Sequence, residues 1–331
     1  MRKRSRLRPR RTAFVFVLWF AVVVPHLIGQ LFAQEAQTIR IGYSALSLSF
    51  LPQLFARDAG VFKKHGLTAE MIQMAGPTQV AALAAGEIDF GAAVSPALFA
   101  AVRGLPLRGV MITVKTPLFY IVSEPSIKQL GGLVGKTVAV DSIGALQHIS
   151  AKAMFKKKGV NPEQIYYIQT GSVSNSLAAL NSGAVNGALL SLPNNVIMMQ
   201  KGFNQLVSTP EAGINFPPGG LMTHINQLQK NTLKTKRVIE VLLDALGSLT
   251  TDNASVSSYI QHQWKLNPRL AEETLRELRP TLVGTGKMSF EEVQEFLDTA
   301  YENGQIQQKA NAKNLMDYRP LDEVLKDKRA K

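Results

Sequence analysis

The sequence predicts an α/β protein of two lobes, each a mainly parallel sheet flanked by helices, joined by two hinge crossovers. Three observations support this fold class. Strand-like and helix-like segments alternate along the chain, the alternation occurs twice, and short residue motifs recur in the same order 93 to 97 residues apart. The length of 331 residues also suits two lobes better than one oversized core.

The first repeat follows an N-terminal segment and alternates strand, helix and strand. Its predicted elements are a strand over 38–43, a helix over 50–59 stopped by Gly60, a strand over 67–74, a helix beginning at Gly76 with Pro77 in the first position, a strand over 88–94, and a helix with Ser95 as N-cap. This order implies parallel pairing with right-handed crossovers.

The second repeat has the same order of elements. A strand over 137–140, a helix over 145–158, a strand over 164–169, a helix over 174–181 and a strand over 185–190 are predicted. The residues match as well: the segments 62–67, 72–73 and 82–89 resemble 155–160, 168–169 and 179–186. Three matches in order indicate a duplicated lobe, although each match alone is a common helix-to-strand pattern.

The chain is predicted to cross between the lobes twice, near 113–122 and again within 208–222. Residues 34–116 and 222–331 then form lobe one, and residues 117–221 form lobe two, which is inserted into lobe one. An ordinary surface loop is the alternative interpretation of 208–222, because its Pro and Gly content suits either role.

Residues 1–33 have the layout of a secretory signal peptide. A tract with seven Lys and Arg residues precedes a twelve-residue apolar run over 13–24, and cleavage is predicted near Ala33. The run is shorter than the roughly 20 residues that span a bilayer. An uncleaved signal anchor is the alternative, and otherwise the mature protein is expected to be periplasmic and soluble.

Composition excludes several kinds of function. The N-terminal tract holds seven of the 37 basic residues and none of the 24 acidic ones, so the formal net charge of the remainder is +6 rather than +13. No basic stretch interleaved with aromatic residues follows, which argues against nucleic-acid binding. The chain has no Cys, and its His residues show no H-E-x-x-H spacing. We therefore expect no cofactor, no metal and no enzymatic activity.

The candidate ligand contacts are residues that directly follow predicted strands, because parallel sheets bind ligands at the carboxyl ends of their strands. In lobe one they are Tyr43, Ser44, Ala45, Leu46, Gly76, Pro77, Thr78 and Ser95. In lobe two they are Ser142, Ile143, Gly144, Ala145, Thr170, Gly171, Ser172, Leu192, Pro193 and Asn194. For each residue, turn or capping chemistry is the alternative. His148 is a further candidate, with exposed helix surface as its alternative.

Several stretches resemble the sulfonate, nitrate and thiamine-precursor group of ABC-transporter substrate-binding proteins. These stretches are 39–43, 59–67, 82–90, 135–140 and 317–321, and the resemblance runs from about residue 38 to 325. Two positions depart from the group: Gly132 stands where many members have Asp, and Asn186 replaces an Asp. The resemblance implies the type II periplasmic-binding fold and delivery of a captured solute to an ABC permease.

The resulting functional prediction is a monomeric, extracytoplasmic solute-binding protein. The candidate loops are rich in Ser, Thr and Gly and poor in charged residues, which favours a small organic anion or heteroaromatic compound. A ligand sensor that docks on a membrane receptor is one alternative. A biosynthetic enzyme on the same fold is another, but its known forms resembling this chain depend on Cys residues that are absent here.

Overall fold

Two five-stranded sheets organise the part of the chain that the computed structural model describes, residues 37–44 and 46–330. In chain order the strands are β1 Gln37–Tyr43, β2 Leu67–Gln73, β3 Phe90–Ala93, β4 Leu107–Val114, β5 Phe119–Ser123, β6 Thr137–Val140, β7 Tyr166–Gln169, β8 Gly187–Ser191, β9 Asn204–Ser208 and β10 Gly219–His224. Thr38–Lys331 make up one compact unit. The predicted signal peptide over 1–33 and the candidate Ala45 lie outside the described residues.

Helices follow most strands and fill the C-terminal third of the described chain. They are α1 Leu51–Asp58, α2 Val61–Lys64, α3 Gly76–Ala85, α4 Val94–Val102, α5 Leu146–Lys157, α6 Val173–Asn181, α7 Asn194–Gln200, α8 Ile225–Lys230, α9 Thr232–Thr251, α10 Asn253–Trp264, α11 Pro268–Leu278, α12 Phe290–Glu302, α13 Ala312–Leu315 and α14 Arg319–Arg329. None of the helices in the described range is both long and apolar enough to cross a membrane.

The two sheets share one strand order. The first runs β2-β1-β3-β10-β4 and the second runs β7-β6-β8-β5-β9, so each repeat orders its own strands second, first, third and fourth. In each sheet, one strand that comes from the other sheet lies between the third and the fourth strand of the repeat. Parallel pairing is observed for β1 with β3 and for β6 with β7 and β8. The predicted fold class, two helix-flanked sheets, is confirmed.

In each sheet, the prediction of parallel pairing is wrong for the inserted strand. β10 is antiparallel to β3 and β4, and β5 is antiparallel to β8 and β9. Each of these strands enters its sheet directly from the other sheet rather than through a helix. Parallel pairing requires a long crossover, usually a helix, and no helix connects β4 to β5 or β9 to β10.

Two short segments carry the chain between the sheets, as predicted. Residues 115–118 connect β4 to β5, and residues 209–218 connect β9 to β10. The two crossovers touch: the hydroxyl of Thr116 donates to the amide oxygen of Asn215 at 2.8 Å, and the hydroxyl of Thr209 donates to the carbonyl oxygen of Pro117. The exact lobe boundaries remain a prediction.

Equivalent residues of the repeats have equivalent surroundings. Phe62 and Phe155 are both fully buried. Gly86 and Gly183 end equivalent helices, α3 and α6, with positive φ angles of 75° and 76°. Because L residues with a side chain rarely adopt this conformation, glycine is the residue that lets the chain turn from helix to strand here. The structural match therefore extends the sequence repeat to backbone conformation.

Asp89 and Asn186 show why the second repeat tolerates Asn. Asp89 Oδ2 accepts the main-chain N–H of Arg40 at 2.9 Å, and Asn186 Oδ1 accepts that of Thr137 at 3.2 Å. Each side chain thus supplies one acceptor oxygen to the first strand of its repeat. Only Asp89 has a cationic partner, Lys234, whose Nζ lies 2.8 Å from Oδ1. Amide and carboxylate are therefore interchangeable for the shared contact.

Replacing Asp89 should destabilise the first sheet. In Asp89→Ala, the Arg40 N–H loses its side-chain acceptor and the largely buried Lys234 loses its partner, so the free energy of unfolding should fall by about 2 kcal/mol. Asp89→Asn keeps the acceptor and should lose about half as much. Urea denaturation of the two variants measures this, and equal stability of Asp89→Ala and wild type would contradict it.

The C-terminal helices pack on the first sheet and its helices. The 20-residue α9 contacts α1, α2 and α14, and α14 also contacts β4. Helix α12 begins with a capping box between Ser289 and Glu292, and its apolar face stacks on α4 through Phe296 and Phe99, whose ring centroids are 5.5 Å apart. Helices α9, α12 and α14 therefore pack on the first sheet or on its helices.

Candidate functional site

The end of β1 and the loop after it carry three of the described candidates, Tyr43, Ser44 and Leu46. The carbonyl oxygen of Tyr43 accepts the N–H of Met74 at 2.9 Å, which holds the ends of β1 and β2 together. The Tyr43 ring meets the edge of Phe50 at a centroid distance of 6.4 Å. Leu46 is 45% exposed.

The starts of α3 and α4 lie next to each other. A Cβ atom at Gly76 would lie 3.1 Å from the Pro96 ring, so the two helix starts pack closely. Pro77 and Thr78 are exposed, and Pro77 occupies the second helical position rather than the first. The candidates of α3 and α4 are therefore brought together.

Ser95 does not cap its helix, contrary to the prediction. Helix α4 begins one residue earlier, at Val94, with Ala93 as N-cap. The Ser95 hydroxyl instead donates to the carbonyl oxygen of Pro217 at 3.2 Å. The Val94 N–H also reaches the carbonyl oxygen of Pro218, at 3.4 Å. Pro217 and Pro218 belong to the second crossover, so this crossover accepts the Val94 N–H, one of the helix-start donors that have no intrahelical partner.

The loop after β6 is held by side chains around it. The Ser142 N–H donates to Asp141 Oδ1 at 2.6 Å, and the Ile143 N–H donates to Gln169 Oε1 at 3.0 Å. The Gly144 N–H donates to His148 Nδ1 at 3.1 Å. Ile143 is left 49% exposed. This loop therefore presents an apolar side chain on a backbone with fixed hydrogen bonds.

Two titratable groups adjoin this loop. Burial raises the pKa of the Asp141 carboxyl above its ordinary value, so burial favours its neutral form. Burial lowers the pKa of His148, and nearby Lys152 lowers it further. Because the half-buried His148 accepts a hydrogen bond from Gly144, its Nδ1 atom is unprotonated in this arrangement.

The loop after β7 is joined to the loop after β6. The Gly171 N–H donates to the carbonyl oxygen of Asp141 at 2.8 Å. The Thr170 hydroxyl donates to the carbonyl oxygen of Val140 at 3.1 Å. Ser172 caps α6 by accepting the Asn175 N–H at 3.2 Å. Capping chemistry, the alternative considered for these positions, thus accounts for the Ser172 side chain.

The turn after β8 contributes less accessible candidates. Leu192 is only 6% exposed, and Pro193, which follows a cis peptide bond, precedes α7 as its N-cap. Asn194 is the first residue of α7 and is half-buried. Asn195, which the sequence did not single out, is buried and leaves its Oδ1 without a hydrogen-bond partner.

The sequence also missed Gln305, a residue outside both repeats. A Cβ atom at Gly144 would lie 3.1 Å from Gln305 Oε1, so the turn after α12 reaches the loop after β6. Gly144 has a φ of +84°, which also favours glycine at this position. The candidates come together within each sheet, and their convergence on one cleft remains a prediction.

A cavity of about 1260 Å³ lies elsewhere, between α5 and α12. Lys152, Lys156 and Lys157 line one side, and Glu295, Asp298 and Glu302 line the other. None of the predicted ligand contacts lines this cavity. Among the described residues, no group of three or more His, Cys, Asp or Glu side chains could hold a metal ion.

Comparison with known families assigns the chain. Residues 47–253, more than half of the sequence, match the NMT1/THI5-like family. The chain belongs to this family. A Haemophilus influenzae protein named for thiamine biosynthesis is 27% identical to this family member over 193 residues. The match covers 57% of this chain and 59% of that protein, so it spans about three fifths of the relative's length.

Solved structures share the fold of this NMT1/THI5-like protein. The periplasmic aliphatic sulphonate binding protein of Escherichia coli is 20% identical, with a TM-score of 0.70 over 85% of this chain and 97% of that one. The periplasmic nitrate-binding protein of Synechocystis is 14% identical, with a TM-score of 0.70 over 88% and 89%. The predicted family group and the type II periplasmic-binding fold are thereby confirmed.

Proposed function

We propose that this protein is an extracytoplasmic solute-binding protein that captures a small organic solute between two lobes. The observation that carries the proposal is that two helices beginning at the strand ends lack a side-chain cap. Helices α3 and α5 begin there with Ala75 and Ala145 as N-caps and have no side-chain cap. Helix α6, which also begins at a strand end, is capped by Ser172, and α10, α11 and α12 are capped by Asp252, Asn267 and Ser289. Helices α9 and α14 also begin without a side-chain cap.

Uncapped helix starts favour a ligand with acceptor atoms. The first N–H groups of an α-helix lack intrahelical partners and carry a partial positive charge. Asp, Asn or Ser at the N-cap would satisfy one of these N–H groups, and Ala cannot. Placing Ala at two helix starts next to candidate binding loops leaves donors for a sulfonate, carboxylate or ring nitrogen.

The exposed apolar side chains favour an organic ligand. Leu46 and Ile143 belong to loops of different sheets and are each almost half exposed. Small-molecule sites combine apolar walls with a few placed polar groups. These two side chains therefore supply an apolar wall from each lobe, which suits an organic anion or a heteroaromatic compound better than a small inorganic anion.

Binding, rather than catalysis, is the function that the comparisons support. Both solved structures named above are binding proteins of periplasmic systems. By this proposal the protein acts in the periplasm as a monomer and delivers its solute to an ABC permease. Stimulation of that permease's ATP hydrolysis by the loaded protein would support delivery, and its absence would favour the sensory alternative.

A thermal-shift screen tests the proposal directly. The probes are methanesulfonate, benzoate and an aminopyrimidine, compared with glucose and Zn²⁺. A ligand at about 100 times its Kd stabilises the folded state by about 2.7 kcal/mol, which should raise Tm by about 5 °C. A shift with the sugar or the metal ion, and none with the three organic probes, would contradict the proposed ligand class.

A further inference from the structure

Asp141 directly follows β6 and connects the loops after β6 and β7. Its carbonyl oxygen accepts the Gly171 N–H at 2.8 Å, and its own N–H donates to Gln147 Oε1 of α5 at 3.2 Å. Its carboxyl oxygen Oδ1 accepts the Ser142 N–H at 2.6 Å. The main chain and one carboxyl oxygen of Asp141 are therefore fixed by their surroundings.

The second carboxyl oxygen of Asp141, Oδ2, has no hydrogen-bond partner among the described residues. It is also not one of the enclosed polar atoms that lack a partner, so solvent reaches it. An accessible acceptor atom therefore lies at the carboxyl end of β6, next to the candidate contacts Ser142 and Ile143.

Asp141 differs from the other half-buried aspartates in the described part of the chain, because each of these forms an ion pair. The pairs are Asp89 with Lys234, Asp244 with Lys328 and Asp317 with Arg319. No Lys, Arg or His of the described residues acts on Asp141. Burial raises the pKa of the Asp141 carboxyl, whereas the hydrogen bond from Arg319 lowers the pKa of Asp317.

The repeated fold does not require a carboxyl group at this position. The first strand of each repeat pairs with the third in the same register, Ile41 with Phe90 and, 97 residues later, Val138 with Gly187. By this register, the equivalent of position 141 in the first repeat is Ser44. The charge is therefore a property of the second repeat alone.

A half-buried carboxylate without a cationic partner has an unfavourable desolvation energy in the unliganded protein. A ligand that donates N–H groups to the carboxylate offsets this energy, because hydrogen bonds to a charged group are about twice as strong as neutral ones. A ligand whose polar atoms are all acceptors instead brings like charges or lone pairs together. Asp141 therefore favours a ligand with a nitrogen donor.

We propose that Asp141 is a specificity-determining residue that binds a basic nitrogen group of the solute, an amine or an amidine, through Oδ2. The proposal rests on the proposed solute-binding function and narrows its ligand class. The uncapped starts of α3 and α5 serve acceptor atoms of the solute, whereas Asp141 requires an N–H donor. A sulfonate or carboxylate that has no basic nitrogen is a poor ligand for this site.

Titration calorimetry with benzamidine and benzoate tests the proposal, because the two compounds have the same shape and opposite charge. Wild type should bind benzamidine at least about tenfold more tightly than benzoate. Asp141→Asn keeps an acceptor for the Ser142 N–H, as Asn186 does for Thr137, but has no charge. This variant should bind benzamidine about 10- to 100-fold more weakly and benzoate no more weakly than wild type.

Asp298→Asn is the matched control. Asp298 is exposed on α12 and lines the acidic side of the cavity between α5 and α12, so the variant removes the same charge outside the candidate loops. Its affinities for both compounds should equal those of wild type. Weaker benzamidine binding in Asp298→Asn but not in Asp141→Asn would place the basic group in that cavity and overturn the proposal.

Urea denaturation of the unliganded protein separates recognition from a structural role. If the carboxylate serves the ligand, Asp141→Asn should unfold at the wild-type midpoint or above it, because the amide keeps the hydrogen bond to Ser142 and carries no charge to desolvate. A lower midpoint would mean that the charge of Asp141 stabilises the loop or the start of α5, and the proposal would be wrong.

The binding data also distinguish this proposal from the proposed function. If benzoate binds wild type as tightly as benzamidine and Asp141→Asn changes neither affinity, the protein still binds solutes, but Asp141 does not select them. If neither compound binds, the role of Asp141 is overturned, and the thermal shifts with methanesulfonate and the aminopyrimidine decide the proposed function.

Discussion

Gly219→Ala should lower the free energy of unfolding by about 3 kcal/mol. Gly219 opens β10 and pairs with Ala93 on one side and Val114 on the other. A Cβ atom at this position would overlap the carbonyl oxygen of Ser49, which belongs to the main chain of the segment after β1. A clash with main-chain atoms inside a paired sheet cannot be relieved by a change of rotamer, so β10 or this segment must shift.

Gly247→Ala is the control for this prediction. Gly247 is exposed within α9, and no atom lies within 4 Å of a Cβ built there. Alanine is favoured over glycine inside helices, so this variant should gain about 1 kcal/mol. Urea denaturation of both variants provides the measurement. If Gly219→Ala unfolded at the wild-type midpoint, the close packing of β10 on the segment after β1 would be wrong.

Gly219 lies in β10, a strand that the sequence does not predict, and the strands differ in how far the sequence could predict them. Strands β1 to β3 and β6 to β8 are predicted, because they lie in local strand–helix units whose hydrophobic period and glycine stops are visible in the sequence. Strands β4 and β9, the last of each repeat, are not predicted. Strands β5 and β10 are different, because each is reached through a crossover with no helix. Their antiparallel placement depends on where the other sheet lies, which a local pattern does not contain.

The candidate site, too, has features that the sequence could predict and features that it could not. Strand-end loops could be predicted because parallel sheets always bring these loops to one edge. The partner of the Ser95 hydroxyl could not, because Pro217 is 122 residues away along the chain. Gln305 was missed for a similar reason: it follows a helix outside both repeats and reaches Gly144 only through the packing of α12.

The departures from the family pattern are explained to different extents. Asn186 keeps the acceptor oxygen that Asp89 supplies in the first repeat, so the substitution preserves the hydrogen bond to the first strand. Gly132 lies in a short 3₁₀ helix, Leu130–Leu133, beside Ile127. A Cβ atom there would lie 3.0 Å from the Ile127 side chain, so the small residue matches its tight surroundings.

Ser142→Trp should abolish the thermal shift given by a bound solute while leaving the unliganded protein folded. Ser142 is half-buried in the loop after β6, and its contribution to the loop is a main-chain hydrogen bond to Asp141, which a substitution of the side chain preserves. An indole ring in this loop would occupy the space next to Ile143 and the uncapped start of α5. Loss of about 2.7 kcal/mol of ligand stabilisation is expected at about 100 times the wild-type Kd.

Ser182→Trp separates loss of the site from the general effect of a large side chain. Ser182 is exposed at the C-cap of α6, at the opposite end of that helix from the loop 170–172. This variant should keep the wild-type shift, since no candidate contact lies beside it. If Ser142→Trp bound the solute with wild-type affinity, the strand-end loops would not form the site. Binding would then have to be sought between α5 and α12, where Asp298→Trp would block the cavity.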